Sequence, residues 1–344
     1  MDRPTIADLA KAAGVSVSTV NRILGGSGSV RLGTIQRVRD AAAEIGYFGL
    51  NVIDARKKES MPRYRLGFLL QQSSRELYQL FGRKIQEAAR TWREAEIEAA
   101  IEFVDELEPE NIASRLMALG DRCDAVAVIA ADHPLVGQAI QALKARNKPV
   151  VAYITDQSAP ERAGYVGTDN WKLGRTAAWF IASMTSRPGR VSVFIGSHRY
   201  QCQDISDASF RSYLRENADH LTVDDSQPTH EEPKEAYRLV SNLLTNADDL
   251  AGVYIAGGGI SGVLQALREV PDGQRRTIRL VCRDIGPETR RGLAEGLITA
   301  ALCHPLEQTS AQLVQTMIDS ITREDNGVIL QRTLPFEIVT PVSL

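Results

Sequence analysis

Residues 5–24 limit the fold of this chain more than any other stretch, because their pattern predicts two short helices joined by a tight turn. Apolar residues share one face of the first helix at Ile6, Leu9 and Ala13, and charged residues occupy the other. Gly14 permits the positive φ that the turn requires. The pattern is typical of a helix-turn-helix, and an ordinary helical hairpin of a soluble protein is the alternative.

Capping residues set the predicted ends of both helices. Thr5 is the predicted N-cap of the first helix, and Asp8 is its partner in a variant of the capping box. Ser16 is the predicted N-cap of the second helix, which Gly25 and Gly26 end. The second helix is therefore expected to be short and to start directly after the turn.

The outer face of the second helix suits a DNA groove. Val20 and Ile23 share the inner face with Thr19. The outward residues are Val17, Ser18, Asn21 and Arg22. Asparagine can pair with adenine and arginine with guanine in the major groove, and valine can contact a thymine methyl group. We predict that the outward residues contact bases, and that Thr5, Ser16 and Thr19 contact phosphates or cap helices.

A third helix and the charge distribution complete the predicted N-terminal domain. The third helix is expected at 32–45, with its apolar residues facing inward at Ile35, Val38, Ala42 and Ile45. Residues 1–60 carry nine Lys or Arg and six Asp or Glu, a net charge of +3, whereas the whole chain carries −3. A basic head on an acidic body suits DNA binding by one local face.

A dense motif runs through the N-terminal helices and continues into the third. It consists of Thr5-Ile6-x-Asp8-Leu9-Ala10-x-x-Ala13-Gly14-Val15-Ser16-x-Ser18-Thr19-Val20-x-Arg22, followed by Arg37-Val38 and Glu44-Ile45-Gly46-Tyr47. With this motif the chain resembles the lactose-repressor (LacI/GalR) family of bacterial transcription regulators. The length of 344 residues and the order of the predicted segments also resemble those of this family. The resemblance implies a DNA-binding head, a hinge, and a ligand-sensing domain shaped like a periplasmic sugar-binding protein.

The expected domains follow from this layout. They are a helix-turn-helix headpiece at 1–48, a hinge or linker at 49–63, and a ligand-binding domain of two lobes at 64–344. The first lobe is expected at 64–162 with 304–322, and the second at 163–303 with 323–344. The ligand is expected to change the closure of the lobes, and with it the geometry of two heads.

The linker departs from the usual pattern of the family. The proline that usually follows the tyrosine is a glycine here, and Arg56 stands where an apolar wedge residue is usual. The resemblance implies a hinge helix, here predicted at 50–58, that inserts an apolar side chain into the minor groove. Val52 and Ile53 are the apolar candidates, beside Asn51. A flexible basic linker that touches phosphates is the alternative.

From residue 65 onward, short apolar strands alternate with helices. Stretches such as Leu66–Leu70 and Val191–Gly196 are typical of buried parallel strands, and 76–93 is typical of a helix. We predict an α/β fold, with a three-helix headpiece and two doubly wound parallel sheets like those of periplasmic binding proteins. Ligands of such sheets lie at the carboxyl ends of the strands, here in the cleft between the lobes.

Polar residues near the predicted strand ends are the candidate ligand contacts. They are Gln72, Tyr78, Asp169, His198, Asp204, Arg283 and Asp284. Tyr78 could stack on a sugar face or lie in the core, and Asp169 could accept hydroxyl protons or cap a helix. Asp284 ends a strand where the family typically places a sugar-binding acid. Ser206 stands where the family commonly has an arginine, which departs from the ordinary set of hexose contacts.

The motif Gly257-Gly258-Gly259-Ile260-Ser261-Gly262 leaves an enzymatic alternative open. It matches the dinucleotide fingerprint G-x-G-x-x-G, which would suit an oxidoreductase. We favour a glycine turn that lets backbone N–H groups approach a ligand, because the N-terminal helices do not suit a dehydrogenase. We expect no enzyme, no cofactor and no metal site. The four cysteines are scattered without a Cys-x-x-Cys pair.

Composition and targeting signals indicate where the protein acts. The sequence has no apolar run of membrane-spanning length and no signal segment, so we expect a cytoplasmic, nucleoid-associated bacterial protein rather than a secreted sugar-binding transport protein. The expected partners are a double-stranded DNA operator with an inverted repeat, a sugar, polyol or sugar acid, and a second copy of the chain. The dimer contact is expected at the helices near 76–93 and 109–119.

Overall fold

The computed structural model describes residues 3–323 and 327–344. The chain divides into two compact units, Met1–Tyr64 with Arg90–Glu98 and Arg65–Ala89 with Ala99–Leu344. The first unit holds the N-terminal helices, and the second holds most of two β-sheets with their covering helices.

From residue 3 onward, the described part of the N-terminal domain is built from helices. They are α1 (Ile6–Ala12), α2 (Val17–Leu24), α3 (Leu32–Glu44) and α4 (Leu50–Glu59). Gly14 adopts φ 63° in the turn between α1 and α2, and Gly26 adopts φ 67° directly after α2. These left-handed positions favour glycine, because any side chain there meets the backbone. The predicted helix-turn-helix is therefore confirmed.

One small apolar core joins these helices. Its largest fully buried side chains are Leu9, Val20, Ile23, Ile35, Val38 and Ile53. Ile53 belongs to α4, so α4 packs as a further helix of this domain, beyond the three that the sequence predicted. A minor-groove contact by Ile53 is wrong, because its side chain has no exposed surface. Val52, the preceding residue, is 48% exposed.

Strands and helices alternate along the rest of the described chain. The strands are β1 (Arg63–Gln71), β2 (Glu96–Val104), β3 (Ala125–Val128), β4 (Val150–Tyr153), β5 (Gly164–Thr168), β6 (Gly189–Ile195), β7 (Leu221–Val223), β8 (Gln227–Pro228), β9 (Leu250–Ile255), β10 (Arg279–Arg283), β11 (Ala300–Cys303), β12 (Leu330–Leu334) and β13 (Glu337–Val339). The helices are α5 (Glu76–Thr91), α6 (Pro109–Gly120), α7 (Pro134–Ala145), α8 (Asn170–Ser183), α9 (Gln201–Asn217), α10 (Pro233–Asn246), α11 (Ile260–Glu269), α12 (Asp272–Arg275), α13 (Pro287–Ala294) and α14 (Leu306–Thr322). In the part of the chain that the structure describes, no helix is long and apolar enough to cross a membrane.

The strands form two sheets, and each sheet is the centre of one lobe. The first has the order β12-β5-β4-β3-β1-β2. Its neighbouring strands β12, β5, β4, β3 and β1 all pair in parallel. The second has the order β13-β11-β10-β9-β6-β7, with β8 beside β6, and is parallel except where β13 joins β11. Helices α6, α7 and α14 pack on the first sheet, and α8 to α11 pack on the second. The predicted doubly wound α/β fold is confirmed.

The sheets divide the chain at different points from the lobe boundaries that the sequence suggested. Residues 164–168 and 330–334 were expected in the second lobe, but β5 pairs with β4 and β12 pairs with β5 in the first sheet. The chain therefore passes between the lobes after β5, after β11 and after β12. Neither β5 nor β12 has a continuous run of large apolar residues that would reveal it in the sequence. Strand β5 contains two glycines, and the half-buried β12 has three polar residues between its two leucines.

We expect Ile53→Ala to destabilise the N-terminal domain by about 2–5 kcal/mol, because the truncated side chain leaves a cavity in a packed core. Val52→Ala is the matched control at the neighbouring exposed position and should change stability by less than about 0.5 kcal/mol. Amide hydrogen exchange of Val20 and Ile23 in the full-length protein measures the local opening free energy. Equal protection in both variants would show that α4 does not belong to this core.

Candidate nucleic-acid interface and ligand pocket

The outer face of α2 is the candidate nucleic-acid interface. It exposes the side chains that the sequence assigned to this face, namely Val17, Ser18, Asn21 and Arg22. Val20 and Ile23 are buried on the opposite side. Arg22 Nη2 donates a hydrogen bond to Ser18 Oγ at 3.3 Å, one helical turn earlier. Because both groups are exposed to solvent, this bond can be exchanged for a bond to DNA at little cost.

The hydroxyl groups at the helix starts already have partners within the domain. Thr5 Oγ1 accepts a hydrogen bond from the Asp8 N–H at 3.3 Å, and the Asp8 carboxylate accepts one from the Thr5 N–H at 2.9 Å. The Thr5 hydroxyl also donates to the Asp8 carboxylate at 2.6 Å, and this bond, together with the one from the Thr5 N–H, lowers the pKa of Asp8. Ser16 Oγ accepts from the Thr19 N–H at 3.2 Å. The capping box and the second cap are confirmed, and they fix where α1 and α2 begin, respectively.

Helix α4 presents a mixed face. Asn51 and Val52 are exposed. Arg56 Nη2 donates to the Gly28 carbonyl at 2.8 Å, which ties the end of α4 to the loop after α2. Phe48, just before α4, is 74% exposed, and the sequence analysis did not single it out. An isolated exposed aromatic residue after a buried tyrosine gives no periodic signal, which is why the pattern did not reveal it.

A pocket of about 450 Å³ lies between the two lobes, and we call it the interlobe pocket. Its walls come from the ends of strands, as expected for parallel sheets. The loops after β1, β3 and β4 supply the first-lobe wall, and the segments after β6, β8, β9 and β10 supply most of the second. Gln72, Tyr78, Arg283 and Asp284 lie in its walls, so these predicted candidates meet at one site.

A buried chain of hydrogen bonds joins Arg283, His304 and Asp284 at one end of the pocket. His304 Nδ1 lies 2.6 Å from Asp284 Oδ1, and Arg283 Nη2 donates to His304 Nε2 at 2.9 Å. Burial alone would raise the pKa of Asp284, but His304 and Arg283 outweigh it and lower that pKa to about 2. The carboxylate therefore stays ionised near neutral pH.

An ion pair connects the two walls of the pocket. Arg75 Nη1 lies 2.6 Å from Glu231 Oε2, and Glu231 Oε1 accepts a second bond from Gln203 Nε2 at 2.9 Å. Arg75 precedes α5 in the first lobe, whereas Glu231 follows β8 in the second. The Arg75 guanidinium also lies 5.1 Å from the centre of the Tyr78 ring. The sequence analysis did not predict either charged residue.

The position of Tyr78 is compatible with both of the roles that the sequence left open. It lines the pocket, and it is also buried. Its hydroxyl donates to Gln71 Oε1 at 2.9 Å, and Gln71 Nε2 donates to the Tyr200 hydroxyl at 3.0 Å in the other lobe. Burial raises the pKa of both tyrosines, so both phenols are neutral donors and acceptors near pH 7.

The glycine turn after β9 makes room for this chain's own groups. Gly257, Gly258 and Gly259 line the pocket, and Gly259 adopts φ 99°. A Cβ on Gly258 would overlap the Glu231 carboxylate and press on the Arg75 guanidinium. The space that a dinucleotide phosphate would need above this turn is therefore taken by a carboxylate. This favours the non-enzymatic interpretation of the motif.

Three predicted ligand residues lie away from the pocket walls. Asp169 caps α8, with its Oδ1 accepting from the Lys172 N–H at 3.0 Å, so its capping role is the one observed. His198 and Asp204 lie 2.9 Å apart and pair with each other on the surface, with side chains 60% and 54% exposed. These residues do not line the pocket, because a strand-end position fixes the edge of the sheet but not the direction of the side chain.

Two further pocket residues, His304 and Glu231, were not among the candidates predicted from the sequence. His304 directly follows β11, and the strand-end rule that found Asp284 could have found it as well. Glu231 follows the two-residue strand β8, which has no detectable apolar pattern. Within residues 3–323 and 327–344, no group of His, Cys, Asp and Glu has an arrangement that could hold a metal ion.

Comparison with known proteins agrees with this architecture. Residues 5–48 match the family model of bacterial regulatory proteins of the lacI family. Residues 66–325 match the model of the periplasmic binding protein domain. A comparison with curated proteins found no match.

Solved structures similar to this chain include sugar-binding proteins. The glucose-galactose binding protein GanP from Geobacillus stearothermophilus has a TM-score of 0.73 at 18% identity, covering 82% of this chain and 99% of its own. A solute-binding protein from Agrobacterium vitis, bound to α-D-tagatopyranose, has a TM-score of 0.72 at 17% identity, covering 81% and 95%. A solute-binding protein from Actinobacillus succinogenes, bound to D-allose, has a TM-score of 0.70 at 17% identity, covering 81% and 98%. At these identities the likeness shows a shared fold.

Proposed function

Because the chain belongs to the lacI family of bacterial regulatory proteins, we propose that it is a transcriptional repressor whose affinity for its operator depends on a carbohydrate-like effector. The observation that carries this proposal is the joining, in one chain, of a capped helix-turn-helix with an exposed α2 face and a two-lobed domain with an interlobe pocket that charged and apolar side chains line together. Regulators of this family are generally not enzymes, and we propose that the pocket binds its ligand without reacting with it.

The proposed DNA contacts divide between bases and phosphates. The exposed residues of α2, namely Val17, Ser18, Asn21 and Arg22, are placed to contact base edges in the major groove. Thr5, Ser16 and Thr19 lie at the helix starts, where hydroxyl groups commonly contact phosphates. In α4, Asn51 and Val52 are the exposed candidates for a second contact, whereas Arg56 mainly anchors the helix.

The chemistry of the pocket supports a polyhydroxylated effector. Asp284 offers a carboxylate that accepts hydroxyl protons. Arg283 Nε is buried and has no hydrogen-bond partner in the described chain, so it can donate to a ligand oxygen. Tyr78 and Phe81 provide apolar ring surface in the same pocket. A volume of about 450 Å³ suits a small ligand. The similar structures bound to tagatose and allose support a sugar, a polyol or a sugar acid.

A homodimer is proposed on grounds of specificity. One short α2 with four base-facing residues contacts too few base pairs to distinguish one site from a large excess of genomic competitors. Two copies related by a two-fold axis would double the contacted sequence and require an operator with an inverted repeat. Helices α5 and α6 are the proposed surfaces for this contact.

In vitro selection from a random duplex library with the full-length protein tests the dimer. We expect the enriched sequences to contain an inverted repeat whose half-sites are separated by about one helical turn or a multiple of it. Sedimentation of the protein should give a dimer at micromolar concentration. Enrichment of a single half-site by a sedimenting monomer would contradict the proposal.

Arg22→Ala tests the proposed base contact. On the selected operator, we expect a loss of about 1–3 kcal/mol in binding free energy, because a bidentate bond to guanine disappears. Affinity for a random duplex should hardly change. Fluorescence anisotropy with labelled duplexes measures both affinities at one fixed salt concentration. An equal loss on both duplexes would show that Arg22 contacts only phosphate.

A thermal-shift screen of sugars, polyols and sugar acids identifies the effector and tests the pocket. A ligand at about 100 times its Kd should stabilise the protein by about 2.7 kcal/mol. For the strongest hit, Asp284→Asn should abolish the shift, because Asp284 lines the pocket. Asp169→Asn is the matched control, since Asp169 also follows a strand but caps α8 away from the pocket. Loss of the shift in Asp169→Asn alone would place the effector elsewhere.

A further inference from the structure

The ion pair between Arg75 and Glu231 joins the two lobes across the interlobe pocket. Its two charged groups come from different lobes and meet at 2.6 Å. The Glu231 side chain is only 5% exposed. We propose that this pair, which we call the cross-lobe ion pair, holds the two lobes closed in the absence of an effector. An effector can then enter the pocket only after the pair has opened.

The backbone of the second lobe is shaped to place Glu231 at this point. His230 and Glu231 adopt φ 53° and 63°, a left-handed conformation that is costly for residues with side chains. Two glycines leave space for the carboxylate, since a Cβ on either Gly196 or Gly258 would overlap a Glu231 oxygen. Strain and close packing around one carboxylate persist only when the surrounding contacts compensate for them.

The first lobe holds Arg75 in a matching way. Its Nη1 also donates to Gln72 Oε1 at 3.1 Å, and the guanidinium stacks over the Tyr78 ring. Both charged groups are therefore oriented before they meet, which reduces the entropy lost on forming the pair. Removal of one partner would leave the largely buried charge of the other without its counter-ion, which strongly destabilises the arrangement in which they are paired.

Other contacts across the lobes join neutral groups near the same pocket, and in one more the Asp132 carboxylate accepts a hydrogen bond from Gln201 Nε2 at 3.1 Å. Gln71 bonds to the Tyr200 hydroxyl, and the Cys202 N–H donates to Thr155 Oγ1 at 3.4 Å. All these contacts use only groups of the chain, so they can form whether or not an effector occupies the pocket. The cross-lobe ion pair is the contact in this set in which both groups are charged, and we expect its loss to favour lobe opening because an unpaired charge would remain.

Cys202 provides a built-in reporter of lobe opening. It lies in the pocket wall at the start of α9 and is buried. Burial raises the pKa of its thiol, so it reacts slowly with alkylating agents while the lobes are closed. Cys123 is buried in the apolar core of the first lobe, and its thiol becomes accessible only when that core unfolds.

Alkylation with iodoacetamide, followed by peptide mass spectrometry, tests the proposal on the full-length protein without added ligand. We expect Glu231→Gln and Arg75→Gln each to increase the alkylation rate of Cys202 by about tenfold, as an opening equilibrium shifts. Cys123 should remain protected in both variants.

The matched control is Asp207→Asn. Asp207 is also nearly buried and pairs with Arg211 at 2.8 Å, but both residues belong to α9, so the pair lies within one lobe. This variant should leave the Cys202 rate unchanged. Faster alkylation in Asp207→Asn to the same extent as in Glu231→Gln would contradict a cross-lobe effect.

The double variant Arg75→Gln/Glu231→Gln separates lobe opening from unfolding. It removes both charges, so no unpaired charge remains buried. Faster alkylation of Cys202 with Cys123 still protected supports the proposal, even if a single variant unfolds. If Cys202 in the double variant reacts at the wild-type rate, the cross-lobe ion pair does not hold the lobes closed.

Discussion

The path of the chain between two parallel sheets is the constraint on which the rest of the ligand-binding unit depends. Within the described residues, the chain leaves the first sheet after β5, returns after β11, and leaves again after β12. Because every parallel strand ends at the same edge of its sheet, both sets of carboxyl ends face one cleft. Arg283, His304 and Asp284 meet there although they come from two different strand ends. The polar chemistry of the pocket is therefore a consequence of topology.

In the N-terminal domain, local hydrogen bonds determine which side chains remain free. Thr5 and Ser16 use their hydroxyl groups as helix caps, and Gly14 allows a turn that no other residue would adopt without strain. The apolar residues of α2 are held in the core, so its polar residues must face outward. The surface proposed to contact DNA thus results from capping and core packing, and the packing of α4 through Ile53 extends the same core.

Sequence patterns predicted the fold better than the pocket. Helix caps, the Gly14 turn and long apolar periods are local properties, and they correctly indicated α1, α2 and most of the α/β body. The strand-end positions of Gln72, Arg283 and Asp284 correctly predicted that these residues lie at one pocket. The same rule did not bring Asp169, His198 and Asp204 to that pocket, because side-chain direction depends on packing that no local pattern encodes. Arg75 and Glu231 lie in loops, and only the completed fold brings Arg75 Nη1 to 2.6 Å from Glu231 Oε2.

Measurement of operator affinity with and without the effector tests most directly whether one chain couples its two sites. The measurement requires an operator obtained by selection and a ligand obtained by thermal shift, and fluorescence anisotropy then gives both Kd values at one salt concentration. A regulator of this kind should show at least an approximately fivefold change in Kd when the pocket is saturated. The response should be absent in Asp284→Asn, while the affinity of that variant without effector should equal that of the wild type. Identical Kd values with an empty and a saturated pocket in the wild-type protein would contradict the account.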